Sequence, residues 1–218
     1  MSLLEVLVPG SPVAQAYGRV ADARDLPAEL CACDCGRAVA GMIRDTPNQA
    51  ARLIAGWLST REAIWWGLLC ESQLLDLKLA EIKPPRLQAI LNWVREPGDT
   101  TRVAVGQLAD EPDNSSLGLL AQAVVYTTNN LSPIQNSPAA CPGGLAHRLV
   151  ALSVLSGANR WPEAERPACL RHFLELGLDV AEGKHLWTPG AIPLHPGLRP
   201  GSNVAKPKAR IGNIWENW

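Results

Sequence analysis

The chain reads as an all-α protein: one multi-helix domain followed by an extended, proline-rich C-terminal tail. Three observations lead there. Apolar residues recur at helical spacing from about residue 26 to about 184, no alternating pattern of the kind strands show interrupts them, and start and stop signals fall at the ends of the periodic blocks. The spacing predicts about seven helices.

Thr46 and Pro47 open the first, an N-cap residue before a proline at the first helical position, with Ala50, Leu53, Ile54, Trp57 and Leu58 following at helical spacing. Ser59-Thr60-Arg61-Glu62 is a capping box, so the stretch REAIWWGLLCESQ (61–73) starts a second helix after a very short connection. A third runs from Pro85 to Glu96 on Leu87, Ile90, Leu91 and Val94, and Pro97-Gly98 ends it. Asp99 is expected to cap a fourth, TTRVAVGQLAD, and Ser115 or Ser116 a fifth that reaches about Tyr126. A Pro- and Asn-rich loop, 129–144, precedes the sixth, LAHRLVALSVLSGA, and Pro162 opens a seventh that continues to about Gly183.

The domain reading is therefore an N-terminal segment 1–24, a helical domain 25–185, and a Pro/Gly/basic tail 186–218 ending in IWENW. Trp57 and Trp93 occupy similar local sequences 36 residues apart. That period permits a HEAT-like array of helix pairs as well as a globular bundle.

The second helix constrains itself. At 100° per residue, Trp66 and Cys70 share a face with Ala63, Gly67 and Leu74, Trp65 and Leu69 form another, and Ile64, Leu68 and Leu75 a third. A helix apolar on nearly every side belongs in the middle of a protein. Trp65 and Trp66 are accordingly expected in the core.

Composition narrows the function. With 218 residues, 47% of them hydrophobic and 19% charged, the chain can bury a sizeable core without disulfide support. Its net charge of -1 gives no global attraction to nucleic acid or anionic membranes. Four basic residues in the tail, Arg199, Lys206, Lys208 and Arg210, make a poor nucleic-acid site even with tryptophans nearby. The N-terminal MSLLEVLVPGSPVAQ lacks a secretory leader's basic and apolar regions, and no apolar run approaches the ~18 residues of a membrane span. A cytoplasmic protein is expected.

No residues form a recognisable catalytic or cofactor signature, so no enzyme activity, catalytic residue or cofactor is expected. Cys31, Cys33 and Cys35 are the strongest metal candidates, since thiolates suit zinc, but no C-x-x-C pair occurs and no histidine lies close by. They stand as the alternative reading: a cysteine-based metal-binding or redox protein. Cys169 and His172 share a helix face without an oxyanion-type loop, and His147 and Ser153 lack a nucleophile elbow. Pro142-Gly143-Gly144 precedes a helix start, where anions are favoured, but matches no phosphate-loop motif.

Three motifs together carry a family resemblance. Arg61-Glu62-Ala63-Ile64-Trp65-Trp66, the Trp93-to-Pro97 step with Arg102 after it, and FLELGLDVAEG from Phe173 to Gly183 resemble a bacterial family of small helical proteins associated with type VI secretion gene clusters. The resemblance covers roughly residues 20–184. It implies an accessory role, as adaptor or chaperone for a PAAR-like spike or an effector component, and it supplies no catalytic residues. An effector or immunity component of a secretion locus is the neighbouring alternative. The expectation is thus a non-enzymatic interaction module with a protein partner, in which Ile214, Trp215 and Trp218 at the end of the tail bind that partner, because large aromatic anchors dominate binding energy.

Overall fold

The computed structural model describes residues 12–74, 84–108, 114–128 and 139–184. Among these residues the structure is helical, with no strand, as the periodicity predicts. Ten α-helices occur where seven were expected: α1 Pro12–Gly18, α2 Ala28–Cys31, α3 Cys35–Asp45, α4 Pro47–Trp57, α5 Thr60–Leu74, α6 Pro85–Arg95, α7 Asp99–Gln107, α8 Ser116–Val125, α9 Leu145–Ala158 and α10 Arg166–Ala181. The additional three are α1 to α3. Two are only 7 and 4 residues long, and α3 turns toward the core largely on Cys35, Ala38, Val39 and Met42, a stripe of mostly small residues. Helix α1 lies within the segment 1–24, and its Val13, Ala16 and Tyr17 are buried in the common core.

Local chemistry sets the boundaries. Asp34 caps α3 by accepting from the Arg37 backbone N–H at 2.8 Å. The capping box of α5 forms: the Ser59 N–H donates to Glu62 Oε2 at 2.9 Å, and the Glu62 N–H to Ser59 Oγ at 3.3 Å. Ser115 caps α8 through the Gly118 N–H at 3.0 Å. Two expected starts move. Gly98, not Asp99, is the N-cap of α7, and the Asp99 carboxylate instead pairs with Arg102 on the first turn at 3.0 Å. Helix α10 starts at Arg166 rather than Pro162, because Pro167 has no N–H to donate and fits only in a first turn. Residues 162–165 form the turn that leads in, with the Pro162 carbonyl accepting from Glu165 and Arg166.

Helix α5 is buried without interruption from Ala63 to Gln73, and Trp65 and Trp66 are both 0% exposed. Around it stand α6, α8, α9 and α10, while α4 packs against α1, α3, α9 and α10. Helix α10 thus reaches back to α3, α4 and α5. A one-dimensional repeat array keeps its contacts between neighbouring repeats, so this packing is a globular bundle rather than a HEAT-like array.

Trp66 anchors the α5–α10 crossing by donating its indole N–H to the Phe173 carbonyl at 2.7 Å. Gly177, one turn further along α10, lets the two helices meet, since a Cβ there would stand 2.7 Å from Ile54 Cγ2 and 2.9 Å from the Trp66 ring. At the polar end of α5, Gln73 Oε1 is 2.8 Å from His172 Nε2, and Glu71 faces Arg160 at 3.7 Å. No helix among the described residues is long and apolar enough to cross a membrane.

Candidate functional site

The structure distributes the residues singled out from sequence very unevenly. Ile214, Trp215 and Trp218 lie outside the described residues, as does the whole tail 186–218. Cys31 closes α2, Cys33 lies in the link with its thiol directed at the Glu29 carbonyl (3.6 Å), and Cys35 opens α3 with its side chain buried. Burial pushes the Cys31 and Cys35 thiols up, with the Asp34 carboxylate adding to the shift at Cys35, so both favour the protonated form over the thiolate a metal needs. Among the described residues no group of three His, Cys, Asp or Glu side chains is placed to hold a metal ion. Cys169 and His172 are core residues: burial raises the thiol, and the imidazole is bonded to Gln73.

A surface concavity lies elsewhere. Where α5, α6 and α7 meet the lead-in to α9, an open groove of about 600 Å³ is bounded by Thr60 and Arg61, by Trp93, Pro97 to Asp99 and Arg102, by Tyr126 to Thr128, and by Cys141 to His147. Each wall has a local cause. Arg61 points along the end of α6, its Nε donating to the Val94 carbonyl at 2.6 Å and its Nη2 to the Arg95 carbonyl at 2.8 Å, which puts a cation on the negative end of that helix. Pro97 and Gly98 turn the chain there, and Arg102 returns on α7 against Asp99. Cys141 ties the opposite wall to the end of α8 through the Tyr126 carbonyl, at 3.4 Å. A second hollow of about 460 Å³ between α7 and α8 shares Arg102 and Tyr126 with the first, and the exposed Val103 lines it.

Gly144 ends the α9 wall with φ +75°, and a Cβ there would stand 2.0 Å from the Arg19 carbonyl oxygen. Only glycine fits both demands. As a result α9 starts with no side-chain cap. His147, one turn in, is 9% exposed, with both ring nitrogens shielded from solvent. Burial holds its pKa below the usual histidine value and the charge of nearby Arg19 adds to this, while the Leu58 carbonyl opposes it.

Sequence reasoning marked Arg61, Trp93, Pro97 and Arg102 as motif residues without placing them together, and it weighed Pro142-Gly143-Gly144 and His147 only as fragments of motifs that were absent. The signal was present in Gly143-Gly144 at a helix start. Its meaning depends on the Arg19 carbonyl, more than a hundred residues away in the chain.

A family model described as a family of unknown function, DUF6931, matches residues 35–181. The chain belongs to this family. The DUF6931 span opens on the first residue of α3 and closes on the last of α10, so it takes in every residue that lines the groove. Cys31, Cys33 and the IWENW terminus fall outside it. No curated protein and no solved structure matches the chain.

Proposed function

We propose that this protein is a non-enzymatic interaction module whose groove docks a protein partner. One observation carries the reading. Within REAIWW, Ala63 to Trp66 serve the core and Glu62 closes the capping box, whereas Arg61 borders an open groove together with Trp93, Pro97 and Arg102 of the second resemblance motif. The groove's lining combines Arg61 and Arg102 with the half-buried Tyr126, while Trp93 is buried in its wall; arginine and tyrosine are residue types that often act as binding anchors.

The secretion-associated resemblance supplies the setting: a cytoplasmic adaptor or chaperone of a type VI secretion system, acting on a PAAR-like spike or an effector component. Ile214, Trp215 and Trp218 offer that partner a second contact, since large apolar rings contribute affinity when desolvated.

Affinity capture on the full chain from its native cell, with mass spectrometry, tests this. The full chain should retain a spike or effector component, Arg102→Glu should lose it, and deletion of residues 211–218 should weaken capture at an unchanged melting temperature. A deletion that instead lowers the melting temperature strongly would assign the tail to the protein's own body. Capture indifferent to Arg102→Glu would refute the groove as the docking surface.

A further inference from the structure

We infer that α7 is a hinged wall of the groove: it opens and closes as a unit of its own, turning at Gly98 and latched at its far end by Arg86. The opening is a property of the free chain, and its bearing on binding rests on the docking reading above.

Helix α7 is weakly anchored for its length. Of its 9 residues Val105 alone is buried, whereas α3, α4, α5, α6, α8, α9 and α10 each bury at least four. Val103 and the C-cap Leu108 are 49% and 40% exposed, so they add little to the grip. A helix this short does not persist by itself in water, so α7 keeps its form by packing against α6 and α8.

The two ends of α7 differ. At the first, Arg61 fixes the last turn of α6 through the Val94 and Arg95 carbonyls, and the chain then turns through Pro97 and Gly98. The Thr101 hydroxyl closes this turn locally, on the Glu96 and Gly98 carbonyls at 2.9 and 3.1 Å. A Cβ on Gly98 would meet no atom within 4 Å, so the turn can swing without collision. At the far end Arg86 of α6 takes hold: its Nε and Nη2 donate to the Leu108 carbonyl at 3.0 and 2.8 Å, a cation on the negative end of α7.

What α7 carries gives the opening its consequence. Asp99 and Arg102 line the groove, and Arg102, Val103, Gly106 and Gln107 line the hollow against α8. Opening withdraws Arg102 from the groove, so a partner that engages Arg102 binds the closed form and holds it shut. Arg86 lines neither concavity, so it acts on the groove through α7 and is a positioning residue.

Hydrogen exchange of the isotope-labelled full chain, followed amide by amide by NMR, reads the opening. Corrected for intrinsic rates, the Val103 to Gln107 amides should exchange at least about 100-fold faster than Trp65 to Leu69 of α5. Arg86→Gln should speed the α7 amides about tenfold, because a charge-assisted bond is lost. Gly106→Ala should slow them about fourfold, since the added methyl favours the helix and meets Val125 at an ordinary 3.6 Å. Both variants should leave α5 within about twofold of the original, an expectation that follows only if α7 opens by itself. Should Arg86→Gln not fold, Gly106→Ala and the unaltered chain carry the test. Exchange of α7 in step with α5, or variants that shift both helices equally, would overturn the hinge. Saturation with the spike or effector component retained in the capture experiment should slow α7 exchange at least about tenfold. Unchanged α7 exchange, with Arg102→Glu still losing capture, would overturn the coupling and leave the docking reading intact.

Discussion

Trp66 shows how a single side chain joins sequence to packing. It is fully buried and its indole N–H is spent on Phe173, so Trp66→Ala removes both a large apolar volume and a buried hydrogen bond. The expected loss is about 3–5 kcal/mol by denaturant unfolding, with Trp65→Ala in the same range. A loss below about 1 kcal/mol for either would contradict the core assignment. Helical spacing alone made their burial legible, while the Phe173 carbonyl, 107 residues on, was beyond any local pattern. His147 gives a second prediction at this scale. Its folded pKa lies below the ordinary 6.5, so between those two values the unfolded chain binds more protons than the native one. Stability is therefore full above about pH 6.5 and declines as pH falls from there toward the lower folded value. Thermal unfolding should show this decline between pH 7.5 and 5.5, and His147→Phe should flatten it. An identical pH dependence in both chains would show that His147 does not contribute.

At the scale of elements, helix ends hold the walls of the groove in place. Ser59→Ala breaks the capping box of α5 and should cost about 1 kcal/mol. Arg61→Lys keeps the charge but loses the fork that reaches two carbonyls at the end of α6, and it should still cost about 1 kcal/mol by the same assay. A lysine variant as stable as the original would mean that charge alone, not paired hydrogen bonding, holds α6. The capping box was legible because its residues are three apart, whereas the Arg61 bonds span 33 and 34 residues. Helices α1 to α3 were missed for a different reason. The short helices α1 and α2 leave little periodicity and depend on packing onto their neighbours, whereas α3, 11 residues long, carries a clear apolar face on Cys35, Ala38, Val39 and Met42 that was not separated from the periodic stretch around it.

For the whole molecule, the all-α class followed from periodicity, but which helices meet did not. Helix α10 returning to α3, α4 and α5 is a consequence of close fits such as Gly177 against Trp66, and the groove at the start of α5 exists only once the bundle closes. A residue's membership of that groove is thus a tertiary property, although the types present, Arg, Trp and Tyr, were visible as unexplained features of the chain. The family match spans α3 to α10 and with it the lining residues. The central claim is that this groove docks a protein partner, and calorimetric titration of the captured spike or effector component against the full chain and Arg102→Glu tests it most directly. The account predicts affinity weakened about tenfold in the variant, with a cooperative thermal transition retained although the half-buried Arg102 loses its pairing with Asp99. Equal affinity for the two chains would contradict it.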